Sequence, residues 1–283
     1  MDKPIDDPNA PLTLETEAGQ RIFSFWRRML EGTQDDQRAI VPLFAKHGER
    51  LAHNRTGVLL AIGDAHFVVT AAHDMEEVAK GHIGLYLSPS RGQFAIPLSG
   101  RLVGAEPKID VAVIELPSNT ISELQPERRF LCMSDADWNA DATPGAYVVR
   151  GYPEQLVRID WSARNAAFKP MIYLAHVYEG DLPDGADERI HLLLQHGKKG
   201  HAMDGQVLRL PRIPGMSGGG IWKLCEFRRG VMISWQPSQA KLVGIQTHCK
   251  HGSYLKGTWI KYALDLIARH YPALGRVMKD MYL

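Results

Sequence analysis

The chain predicts an all-β barrel architecture with a helix near each end, and three observations carry that prediction. First, short apolar, β-branched runs recur along most of the sequence, each bounded by Gly, Pro, Asn, Asp or Ser. Second, helical three-to-four spacing of apolar residues is confined to two stretches, residues 13–32 and 258–271. Third, 283 residues with 45% apolar and 23% charged side chains suit a globular chain able to bury a sizeable core.

Residues 1–12 read as a loose leader. From Thr13, a candidate N-cap, to Gly32, a candidate stop, Ile22, Phe25, Trp26, Met29 and Leu30 form one stripe. The stripe is expected to dock this helix on the chain's own barrel rather than on a partner. Ile40–Phe44 and Gly57–Ile62 read as strands, and the Gly63-Asp64 turn leads into a strand over His66–Thr70. Asp74–Ala79 makes a short helical turn. Ile83–Leu87, Phe94–Gly104 and Asp110–Leu116 are further short strands.

Residues 117–143 are polar and irregular, and suit a crossover. Ala146–Arg150, Met171–Tyr178 and Ile190–Gln195 resume the strand pattern around an exposed acidic turn at Glu179–Gly185. Ile221–Leu224, Val231–Ser234 and Lys241–Thr247 supply closing strands. Thr258–Tyr271 is an amphipathic helix with Ile260, Ala263, Leu264, Ile267 and Ala268 on one face. No internal repeat is visible.

Composition excludes several classes of function. A formal net charge of +1, with short dispersed basic pairs such as Arg27-Arg28 and Lys198-Lys199, argues against nucleic acid as a partner. No stretch reaches the roughly 20 apolar residues of a membrane span. The acidic, Pro-interrupted start lacks a secretory pattern. Three cysteines, Cys132, Cys225 and Cys249, are too few and odd in number for a disulfide framework. A soluble protein in a reducing, cytoplasmic setting is expected. His248-Cys249-Lys250-His251 invites a metal reading with His196 and His201, but its spacing does not suit zinc, and no metal or cofactor is expected.

Three words carry chemistry. Gly215-Met216-Ser217-Gly218-Gly219-Gly220 follows Pro211 and Pro214, and such a loop can aim successive backbone N–H groups at one small cavity. Val68-Val69-Thr70-Ala71-Ala72-His73 ends a strand in small residues and a histidine. Ile109-Asp110-Val111-Ala112-Val113-Ile114 sets a carboxylate at the mouth of an apolar strand. Each alone reads more simply as a turn, a structural histidine or a strand-end acid. Together they give His73, Asp110 and Ser217 in that order, separated by 37 and 107 residues.

On these words the sequence resembles the trypsin-like (chymotrypsin-fold) serine proteases, in their bacterial form. T-A-A-H at 70–73, D-V-A-V at 110–113 and G-M-S-G-G at 215–219 match in the family's His–Asp–Ser order. The Gly151-Tyr152-Pro153 turn and the closing helix are further points of likeness. The resemblance implies two six-stranded antiparallel β-barrels with an N-terminal and a C-terminal helix. It divides the chain into a leader and helix (1–37), a protease domain (38–272) and a tail (273–283). The first barrel would span about 38–118, the second about 144–257, and the last helix 258–271.

By the same resemblance His73, Asp110 and Ser217 form a catalytic triad, and the N–H groups of Gly215 and Ser217 an oxyanion hole. Pro211, Gln246, Thr247 and His248 would line the substrate site, with Thr247 where a serine usually supports the triad carboxylate. Pro211 near the pocket base gives no case for cleavage after Lys or Arg. Met216 stands where zymogen-activated members carry an Asp, so activation by a freed N-terminus is not expected. No PDZ domain is expected after the last helix, unlike in the HtrA proteases. The expected function is a serine endopeptidase acting on protein or peptide substrates, gated by a regulatory partner or ligand. The alternative is a catalytically inactive module that holds a peptide in the same cleft.

Overall fold

The computed structural model describes residues 17–47, 50–90, 92–160, 165–202, 206–226 and 235–280. The first half is a seven-stranded antiparallel sheet. Its strands are β1 (Ile40–His47), β2 (Arg50–Ile62), β3 (Ala65–Thr70), β4 (Gly84–Leu87), β5 (Ile96–Pro97), β6 (Arg101–Glu106) and β7 (Val111–Glu115). Their spatial order is β5-β4-β1-β2-β3-β7-β6. Helix α1 (Glu17–Gly32) precedes the sheet, and a short helix, α2, spans Met75–Ala79 after β3.

The second half holds β8 (Gly145–Gly151), the hairpin β9 (Val157–Asp160) and β10 (Asn165–Phe168), then β11 (Met171–Ala175) and β12 (His191–Gln195). A second hairpin, β13 (Lys199–His201) and β14 (Val207–Arg209), precedes β15 (Gly220–Glu226), β16 (Lys241–Lys250) and β17 (Tyr254–Trp259). Six of these form an antiparallel sheet ordered β11-β8-β15-β16-β17-β12. Both sheets curl into half-barrels, the two-barrel arrangement the sequence resemblance implies, and register shifts at Leu43/Phe44, Leu102/Gly104 and Gln246/His248 sharpen their bends. The first sheet has seven strands rather than six, because Phe94–Gly104 breaks into the two-residue β5 and the start of β6.

The two sheets share one core. Val58, Val69 and Val113 from the first pack in the same cluster as Val148, Trp222 and Ile245 from the second. Helix α4 (Ile260–His270) inserts Ile260, Ala263, Leu264 and Ile267 into that cluster, which is why its apolar stripe is continuous. It starts two residues later than the periodicity suggests, since Thr258 and Trp259 still pair in β17.

Helix α1 (Glu17–Gly32) lies on the chain's own surface. Met29 is fully buried, Phe25, Trp26 and Leu30 pack against the core, and Trp26 meets the His176 ring at 6.0 Å. The Thr33 hydroxyl donates to the Met29 carbonyl at 3.1 Å where the helix ends. The expected N-cap Thr13 and the expected strand Val231–Ser234 lie outside the described residues.

Two segments are more ordered than their composition suggests. The crossover contains α3 (Ser118–Leu124), and its Leu131 exchanges backbone hydrogen bonds with Leu59 and Ala61 of β2. Thr120 and Leu124 are that helix's buried residues, too few for periodicity to register. The segment read as a tail contains α5 (Pro272–Asp280), opened by a proline that a first helical turn tolerates. No helix among the described residues is long and apolar enough to cross a membrane. The cysteines Cys132, Cys225 and Cys249 are free.

The docking of α1 predicts the cost of emptying its buried position. Met29→Ala should lower unfolding stability by about 2–5 kcal/mol, read by urea denaturation; a loss below about 0.5 kcal/mol, the level of surface substitutions, would mean the helix is not part of the folded unit.

Candidate active site

β3 and β7 are antiparallel neighbours with Thr70 opposite Ala112, so continuing the register sets Ala72 and His73 beside Asp110. Small side chains at Ala71 and Ala72, both buried, let the chain turn closely there before α2. Asp110 adopts a left-handed backbone, φ 55°, at the mouth of β7. Its Oδ1 accepts the N–H groups of Ala72 and His73, both at 2.8 Å. The His73 Nδ1 lies 3.1 Å from Oδ1 and 3.0 Å from Oδ2. A carboxylate holding Nδ1–H fixes the tautomer and leaves Nε2 as the ring's free base.

Ser217 arrives from the other half-barrel. Ile213–Met216 is a turn closed by the Met216 N–H on the Ile213 carbonyl at 3.1 Å, with Pro214 second and Gly215 third at φ 87°. That is the type II arrangement, which calls for glycine at the third position. Gly218 is also left-handed, and a Cβ there would stand 2.0 Å from the Thr56 carbonyl oxygen. Met216 is 1% exposed and packs in the second half-barrel's core.

The loop's amides are oriented by its carbonyls. Across a trans peptide the N–H and C=O point to opposite sides. The Pro214 carbonyl accepts from Glu154 N–H at 2.8 Å, so the Gly215 N–H points away from Glu154. The Met216 carbonyl accepts from Gly219 N–H at 2.8 Å, which turns the Ser217 N–H the other way. Among the described residues neither of these two N–H groups has a backbone acceptor.

Two residues of β2 without a local sequence signal, His53 and Thr56, hold this loop. Thr56 donates its N–H to the Ser217 carbonyl at 2.8 Å and its hydroxyl to the Gly215 carbonyl at 3.0 Å. The same hydroxyl accepts Tyr152 N–H at 2.9 Å. His53 packs under Gly215, so that a Cβ on the glycine would come within 2.7 Å of its ring. Its Nε2 donates to the Tyr152 carbonyl at 2.6 Å, and its Nδ1 is buried without a partner. Burial pushes the imidazole down to about 4. His53-Asn54-Arg55-Thr56 reads as polar loop, and the alternation signalling a strand starts only at Gly57; a polar residue just before a glycine in a strand was the available clue.

Ser217 Oγ donates to the Thr247 carbonyl at a long 3.3 Å, and it has no hydrogen bond to His73. The Thr247 hydroxyl donates to the Lys256 carbonyl at 3.3 Å rather than to Asp110, because β16 bulges at this residue. Gln246 is 1% exposed, its backbone tied to Gly218 and Gly219. Pro211 is half-buried, and His248 is exposed at the rim. Burial and then Lys256 lower the His248 pKa, with Asp110 opposing them. Among the described residues no three His, Cys, Asp or Glu side chains are grouped to hold a metal ion.

No protein-family profile matches the chain, and no curated protein does. Solved structures that it resembles include the apo MamO protease domain from Magnetospirillum magneticum, 14% identical with a TM-score of 0.48 over 82% of this chain and 97% of that one. Deg5 is 13% identical with a TM-score of 0.48 over 87% and 92% of the two chains. The active form of the Rv3671c protease from M. tuberculosis is 15% identical with a TM-score of 0.49 over 87% and 85%. Likeness this distant assigns no residue its role.

The buried histidine gives a pH prediction. Its folded pKa of about 4 lies below the unfolded value near 6.5, so between these pH values the unfolded chain binds the proton and the folded chain does not. Stability therefore falls as pH drops from about 6.5 towards 4, and buried His196, also pushed to about 4, adds to the same slope. His53→Gln should flatten that slope in thermal melts across the window; an unchanged slope would remove His53 from the account.

Proposed function

We propose that the protein is a serine endopeptidase that cleaves peptide bonds through an acyl-enzyme, with Ser217 as nucleophile, His73 as general base and acid, and Asp110 as its orienting carboxylate. The observation that carries this reading is the His73–Asp110 pairing, which leaves Nε2 as the free base of the ring. Ser217 transfers its Oγ proton to Nε2 as Oγ attacks the carbonyl carbon. The developing oxyanion is received by the Gly215 and Ser217 N–H groups, whose orientation supports that role. The imidazolium then gives its proton to the leaving amine. A water, deprotonated by the same nitrogen, releases the acid and restores Oγ–H. No cofactor is needed.

The serine's position supports gating as part of the proposal. With Oγ turned to the Thr247 carbonyl, a rotation about its Cα–Cβ bond must precede attack. A peptide or regulatory protein filling the cleft would supply the bias towards His73. Pro211, Thr247 and His248 are the proposed contacts to substrate, while Gln246, buried with both backbone groups bonded to Gly218 and Gly219, holds the serine loop instead. Free cysteines suit a reducing, intracellular setting for this activity. The same disengaged serine favours the second reading, an inactive module that binds peptide without cutting it.

A fluorophosphonate should label Ser217 covalently, and Ser217→Ala and His73→Ala should each abolish labelling. A proteome-derived peptide digest read by mass spectrometry should show cleavages that the Ser217→Ala protein does not make. Peptide binding with neither labelling nor cleavage would leave the second reading. Gating predicts faster labelling in the native complex than in the isolated protein, and equal rates would oppose it.

A further inference from the structure

We propose that Arg55 is the positioning residue for His73: its buried guanidinium holds the turn that carries the imidazole. The inference deepens the serine-hydrolase reading and rests on it for the importance of His73. Arg55 sits in the middle of β2 and is among the largest fully buried side chains, 1% exposed. Its Nη1 donates to the Ala71 carbonyl at 2.9 Å and to the His73 carbonyl at 2.7 Å. Its Nη2 donates to Asp74 Oδ2 at 3.3 Å, and its Nε to Asn54 Oδ1. The fork therefore grips the main chain at Ala71 and His73 and the side chain that follows.

Burying a guanidinium is costly unless its donors are used and its charge is paired. Burial lowers the Arg55 pKa, and the Asp74 and Asp110 carboxylates oppose that. The groups that compensate this charge are thus parts of the histidine turn and the triad itself.

The backbone adds an independent argument. Asp74 and Asp110 are the positive-φ non-glycine residues of the described chain, at 66° and 55°, and they bracket His73 in space. Such conformations persist only where the surroundings over-determine them. Asp110 is held by the N–H groups of Ala72 and His73, whereas Asp74 is held by Arg55 on its side chain and by the Glu77 and Val78 N–H groups on its carbonyl. Without Arg55, the Ala71 and His73 carbonyls and the Asp74 carboxylate lose the tie that joins the histidine turn to β2. Lysine would keep the charge but cannot reproduce the planar fork.

The test compares wild type, Arg55→Lys and Arg55→Met by fluorophosphonate labelling at rising concentrations and by proton NMR of the His73 Nδ1–H that bonds Asp110. Arg55→Lys should keep its thermal midpoint within a few degrees. Its limiting labelling rate should fall about 10- to 100-fold, the scale on which small misplacements act, with the half-saturating concentration little changed. The Nδ1–H resonance, sharp in wild type and in Ser217→Ala, should broaden or vanish in Arg55→Lys. Arg55→Met, if it folds, should lose at least as much. A sharp Nδ1–H resonance in Arg55→Lys would overturn the proposal, as would wild-type labelling of that variant. Wild type that shows the resonance but is not labelled would instead defeat the hydrolase reading, and the NMR comparison would still decide the role of Arg55.

Discussion

The site depends on one clamp, the grip of Thr56 on the serine loop. Thr56 belongs to the first half-barrel, yet its N–H and hydroxyl donate to Ser217 and Gly215 of the second. Its own carbonyl accepts the Thr70 hydroxyl at 2.7 Å, three residues before His73. One residue thus fixes the distance between the strand that delivers the histidine and the loop that delivers the serine. Side-chain packing alone would hold two sheets together without specifying that spacing. Directional hydrogen bonds, net worth about 0.5–1.5 kcal/mol each, contribute geometry more than stability.

The same strand explains how the serine loop keeps its shape. Met216 is buried in the core of the second half-barrel, and His53 fills the space below Gly215 as a neutral ring. The Glu154–Pro214 and Gly219–Met216 bonds orient the Gly215 and Ser217 amides, the Thr56 bonds hold the two peptides that follow Gly215 and Ser217, and the left-handed Gly215 and Gly218 fit the same loop. Agreement among several local constraints defines a single loop conformation. The component left loosely held is the Ser217 hydroxyl, on a long bond to the Thr247 carbonyl. Held amides beside a rotatable hydroxyl fit the proposed role of Ser217.

Sequence pattern revealed the parts built from local rules. Val68–His73 and Ile109–Ile114 announce strands whose ends carry polar residues, and the helical stripe of residues 258–271 matches the face that α4 buries. What stayed hidden depends on distant partners. Arg55 and Thr56 look like loop residues because their partners, at 71–74 and 215–217, lie far along the chain. The resemblance sets Thr247 to support Asp110, but a bulge in β16 points its hydroxyl at the Lys256 carbonyl instead, and pleat irregularities leave no clear mark in composition. Helix α5 escaped notice for a simpler reason: nine residues opened by a proline look like a tail.

The central claim is convergence: an imidazole paired to a carboxylate, a serine hydroxyl and two aligned amides meeting at one point between the half-barrels. A crystal structure of the protein with a peptide boronate measures that directly, since boron bonded to serine mimics the tetrahedral intermediate. The account predicts boron on Ser217 Oγ, one boronate oxygen within hydrogen-bond distance of both the Gly215 and Ser217 N–H groups, and His73 Nε2 facing the other side. A boronate bound with Ser217 still turned to Thr247, or with the Gly215 amide pointing away from it, would contradict the account.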